Sequence, residues 1–154
     1  MNQLKALALS LIAVPVIVCA APPAPTVKAP KESCSNIEWN PAFLQDYPTA
    51  PAACREVIMK DGVKYATFNG SVSKVGRNFV QVQVSDVADN PISTIAFQIG
   101  TGGKVTLGNQ VEPVENLKVG DHLTFWVREG RFGVSPTLTD QPMKIIKPEA
   151  MSAN

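Results

Sequence analysis

Val63-Lys64-Tyr65-Ala66-Thr67-Phe68-Asn69-Gly70-Ser71-Val72-Ser73-Lys74-Val75 is followed, after Gly76-Arg77-Asn78, by Phe79-Val80-Gln81-Val82-Gln83-Val84-Ser85. Successive side chains of an extended chain point to opposite faces, so a period of two marks a strand with one face buried and one wet. Ala66, Phe68, Gly70 and Val72 share one face of the first run, and Val80, Val82 and Val84 share one face of the second. Gly70 inside the first strand predicts the sharp bend that a small barrel needs in order to close.

The same period extends outward in both directions. Upstream, residues 57–59 meet 63–75 through Asp61-Gly62, a strong hairpin signal because both central positions of the favoured turn need positive φ. Downstream, residues 79–87, 92–99, a short hairpin of 104–107 with 111–114, and 122–128 follow, with 143–147 as the last strand. Six or so short strands with turn residues between them predict a mainly β fold, a small antiparallel OB-like barrel.

Residues 33–53 read differently. They carry Trp39, Phe43, Leu44 and Tyr47, which favour burial, and Asn40-Pro41 opens a short helical turn that Pro48 ends, with a second turn near Pro51. This segment is expected to be a flap on the barrel, pinned by a Cys34–Cys54 disulfide worth about 3 kcal/mol. Two buried free thiols are the alternative. A metal site has no Cys-x-x-Cys and no second histidine to support it, and none is expected.

The termini give the compartment. Lys5 precedes a charge-free apolar run to Ala20, too short and too broken by Pro15 for a transmembrane helix, so residues 1–20 read as a signal peptide cut before Ala21. Lipidation at Cys19 is the rival reading, although Val18 is larger than the residue that normally precedes a lipidated cysteine. Residues 21–32 read as an extended Pro-rich linker, 33–147 as one domain and 148–154 as an unstructured tail. A periplasmic or secreted location follows. Of the chain's 14 Lys and Arg, Lys5 leaves with the signal, so 13 cations face 13 acids, a balance that disfavours nucleic acid and anionic membranes as partners.

Chemistry-bearing groups are sparse. His122 is the single histidine, on the face of 122–128 opposite Leu123, Phe125 and Val127, while Asp121 points the other way. No G-x-S-x-G elbow and no phosphate loop occurs, so neither catalysis nor a cofactor is expected. The candidate binding surface is Trp126 with Arg128, Arg131 and Phe132, since a flat aromatic beside guanidinium groups can hold a sugar ring, a base or a peptide. The burial needs of both tryptophans favour an arrangement in which the flap bearing Trp39 and Tyr47 roofs Trp126; an open Trp126 is the alternative.

The F-x-G-x-V and V-x-V-x-V pattern of residues 68–84, together with L-K-V-G-D-x-L-x-F-x-V at 117–127, resembles small exported proteobacterial proteins with OB-like barrels. Residues 34–57, CSNIEWNPAFLQDYPTAPAACREV, resemble the opening of one such family. The resemblance implies compartment and fold and carries no catalytic or ligand residue with it. Analogy with OB barrels points to oligonucleotide or oligosaccharide binding. The leading expectation is an exported, non-enzymatic binding module whose partner is a glycan or an envelope protein. An envelope accessory or inhibitor acting through loop 100–103 or 129–133 is the alternative, and a hydrolase-like enzyme using His122 comes third.

Overall fold

The structure, a computed structural model, describes residues 31–139 and 141–146. The signal peptide, Cys19, the linker before Lys31 and the tail from Lys147 lie outside the described residues. The elements run β1 (Lys31–Glu32), α1 (Pro41–Asp46), α2 (Ala50–Ala53), β2 (Glu56–Lys60), β3 (Val63–Val75), β4 (Phe79–Ser85) and β5 (Pro91–Gln98). They continue with β6 (Lys104–Leu107), β7 (Gln110–Pro113), β8 (His122–Arg128) and β9 (Ile145–Ile146). Single 3-10 turns occupy Cys34–Asn36 and Val114–Asn116.

All strand pairs are antiparallel, in the order β7-β6-β8-β3-β4-β5-β9, with β2 and β1 branching from β3. The fold is therefore mainly β, as the alternation predicts, with nine strands among the described residues where about six were expected. The sheet is not closed by continuous pairing. Between β8 and β9 it is spanned by the isolated bridges Trp126↔Ser135 and Val134↔Met143. Lys31 and Glu32, expected in the extended linker, pair with Ile58 and Val57 and lie along the outer edge of β2.

β3 organises the molecule. Its first half pairs with β2, its second half with β4, and residues 65–71 pair with β8 along the other side. Gly70 makes this possible: a Cβ there would lie 2.5 Å from Val82 Cγ1 and 2.6 Å from the Gln83 carbonyl oxygen. The position thus needs glycine because β4 approaches so closely. A bulge between Val72 and Lys74 shifts the β3–β4 register beyond this point. The Asp61-Gly62 turn has positive φ at both residues, the geometry a two-residue hairpin favours.

The inner face carries the core. Phe68 and Phe125, directly opposed across β3 and β8, stack at 5.4 Å with 10° between their planes, and Val72, Val80, Val82, Ile95, Phe97 and Val127 complete the layer. Each buried side chain of this size contributes about 1.5–3 kcal/mol relative to exposure. Leu117 seats the L-K-V-G-D turn in this core. In that turn Gly120 takes φ +96°, and the Asp121 carboxylate accepts the Lys118 N–H at 2.8 Å.

Candidate functional site

The flap lies on the core. Asn40 caps α1 by accepting the N–H groups of Ala42 and Phe43, and Pro41 sits at the first helical position. Trp39 stacks on Phe43 at 6.0 Å and meets Phe68 edge-on at 6.0 Å. Because Phe68 belongs to the inner face, the flap caps one end of the core and does not roof Trp126. Both tryptophans are half-buried, Trp39 against Phe43 and Phe68 and Trp126 on the outer face of β8. Cys34 and Cys54 are bonded, closing the flap on itself. The cavity left beneath it, against Phe43, Phe68 and Phe125, has a volume of about 20 Å³, room for little more than one water.

Two sets of contacts fasten the flap and its exit. The Glu129 carboxylate accepts the Glu38 N–H, Gly130 N–H donates to the Glu38 carbonyl, and the Asn40 amide donates to the Gly130 carbonyl. At the other end, Arg55 leaves the disulfide and reaches the turn between β4 and β5. Its Nη1 donates to the Val87 carbonyl and its Nη2 to Asp89 Oδ1. This turn is itself built on Asp86, whose carboxylate accepts the N–H groups of Ala88 and Asn90 and the Asn90 side-chain amide. The Asn90 N–H and side-chain bonds, then Ala88 and the Arg55 charge, hold the Asp86 carboxyl below its ordinary range.

The residues expected to form one surface are divided. Trp126 and Arg128 lie on the outer face of β8, opposite Thr67 and Tyr65 of β3. Arg131 is exposed in the turn after β8. Phe132 turns toward the flap, its ring edge-on to Phe43 at 6.1 Å. Loop 129–133 is thus committed to holding the flap, whereas loop 100–103 faces outward around the positive-φ Gly102.

His122 is exposed and stands opposite Ser71. The acid beside it in sequence, Asp121, is engaged by Lys118 in its own turn. Among the described residues no group of three His, Cys, Asp or Glu side chains is placed to hold a metal ion, and no helix is long and apolar enough to cross a membrane.

What strand-by-strand reading missed is the alignment of outer-face residues across strands. His122 faces Ser71, Ser71 faces Gln83, and Gln83 faces Thr94, a single row across β8, β3, β4 and β5. One step along, Thr106 faces Thr124 and Thr124 faces Asn69, with the Thr124 hydroxyl donating to Asn69 Oδ1 at 3.2 Å. Ser71, Gln83, Asn69, Thr124 and His122 line an open depression of about 580 Å³. Alternation in each strand gave the outward direction of these residues; the register that joins them depends on pairing between residues 71 and 122. No family model, curated protein or solved structure matches this chain.

Proposed function

We propose that this chain is an exported, non-enzymatic binding module that engages its ligand on the outer face of β3, β4 and β8. The polar depression over Asn69, Ser71, Gln83, His122 and Thr124 carries this reading. Ligand sites are concave and combine a few convergent polar groups with flat apolar surface, and Trp126 stands on the same face of β8 two residues beyond Thr124. The catalytic alternative through His122 gains no support from its surroundings. Ser71 is its cross-strand neighbour, but Asp121 is held by the Lys118 N–H and Asp89, which lines the same depression, is paired with Arg55, so each of these acids is engaged by a group other than His122. The charge balance and the absence of any Lys or Arg from β4 and β5 weigh against nucleic acid.

Amide chemical-shift mapping of the disulfide-intact chain against neutral oligosaccharides, single-stranded DNA and envelope peptides tests the proposal. Perturbations concentrated at residues 69, 71, 83, 122 and 124 are expected from at least one class. Perturbations confined to other surfaces, or none, would sink it. Export itself is tested by the N-terminal residue of the protein recovered from the envelope fraction, expected to be Ala21. An acylated Cys19 would favour the lipid-anchored alternative.

A further inference from the structure

The face just described is unusual in its chemistry, and we infer that the ligand it takes is a neutral oligosaccharide. This rests on the binding-module reading and specifies its ligand class. The outward row His122, Ser71, Gln83 and Thr94, with Asn69 and Thr124 beside it, contains no lysine, arginine, aspartate or glutamate. Exposed sheet faces are ordinarily kept soluble by interspersed charges. Here β4 and β5 carry none over their whole length. The one carboxylate at the rim, Asp89, is paired with Arg55.

The groups that remain are amides and hydroxyls. An amide offers a donor and an acceptor side by side, and a hydroxyl offers both in one group. That set matches adjacent sugar hydroxyls, each of which also donates and accepts. Asn69 Oδ1 receives the Thr124 hydroxyl, which orients the Asn69 amide nitrogen as a donor. Gln83 makes no side-chain hydrogen bond among the described residues and is exposed, so its amide is open to a ligand. Trp126 lies on the same side of β8, half-buried and beyond the lining of the depression. The row crosses three inter-strand steps of about 4.8 Å each, roughly 14 Å in all, which spans more than one sugar ring. Phosphate, carboxylate or sulfate groups would find no lysine or arginine in the row to receive them.

Titration of the disulfide-intact chain with maltohexaose, cellohexaose and tetra-N-acetylchitotetraose to about 10 mM, read by amide shifts and calorimetry, reaches even affinities of about 1 mM. At least one is expected to bind with shifts at residues 69, 71, 83, 94, 122 and 124. Gln83→Ala and Asn69→Ala are each expected to weaken it about tenfold. Both positions are exposed, and thermal melts of the two variants establish that the fold is retained. Saccharide binding that neither variant weakens overturns the assignment. If all three sugars fail while single-stranded DNA or a peptide shifts these amides, the saccharide class is overturned and the binding module stands. If no probe shifts them, both fall.

Discussion

The Glu129 carboxylate accepts the Glu38 backbone N–H at 2.9 Å, joining the turn after β8 to a flap residue 91 positions earlier in the chain. A charged acceptor strengthens such a bond, though its exposure brings the contribution down to about 1 kcal/mol. Glu129→Ala should therefore lower the melting temperature by about 4 °C, while Glu129→Gln, which keeps an acceptor oxygen, should lose less. Equal melting of Glu129→Ala and the parent would remove this bond from the account of flap stability.

The Cys34–Cys54 bond closes a loop with a sequence separation of 20. Cys34→Ser combined with Cys54→Ser should reduce the unfolding free energy by about 3 kcal/mol, chiefly by freeing the unfolded chain. Urea titrations with and without reductant measure it. Superimposable curves would show that the aromatic contacts of the flap suffice alone.

Gly70→Ala places a methyl group against Val82 and the Gln83 carbonyl. A destabilisation of about 1–3 kcal/mol is expected from the forced shift of β4. Gly100→Ala is the control, because a Cβ there meets nothing within 4 Å; it should stay within about 0.5 kcal/mol. Equal effects at the two sites would contradict the close β3–β4 approach.

Asp86 is held below its ordinary value of 3.8, first by the Asn90 N–H and then by the Asn90 side chain. A lowered folded-state pKa means a contribution that is full above 3.8 and lost as the pH falls through the lowered value. Asp86→Asn should thus show a flatter loss of stability than the parent below pH 3.8. Denaturant midpoints across that acid range test it, and parallel acid limbs would count against the assignment.

Tyr47 behaves in the opposite sense. Burial, followed by the neighbouring Asp46 charge, pushes its phenol up from 10.0 to about 12. A raised folded-state value gives a contribution that is complete below pH 10.0 and disappears as the pH rises through about 12. Tyr47→Phe should flatten this alkaline limb, monitored by unfolding midpoints. An unchanged limb would assign the alkaline transition elsewhere.

Much of the fold was legible because alternation is a local signal. β3 has the expected bounds, and the Asp61-Gly62 hairpin and the Asn40-Pro41 helix start fall where turn and cap chemistry place them. β4 stops at Ser85, two residues early, because Asp86 captures the N–H groups of Ala88 and Asn90 and ends the ladder. The two-residue strand β1 carries too little pattern to register, whereas β9 falls inside the stretch 143–147 expected as the last strand. The location of the flap was not legible, since aromatic content shows that Trp39 needs burial but not which face provides it. Of the proposed surface, Trp126 was singled out from its strand alone. The row from His122 to Thr94 needed the β8–β3–β4–β5 registers, which no single segment contains.

Because β3 serves β2, β4 and β8 at once, the order in which the protein folds is constrained. Its partners in β2 and β4 are hairpin neighbours that can form early, whereas Asn69 must wait for Thr124, 55 residues later. Until β8 arrives, residues 65–71 present an open strand edge, the kind of template on which chains join one another. A nascent or truncated chain that stops before His122 therefore leaves that edge uncovered, and it is β8 that covers it in the finished molecule.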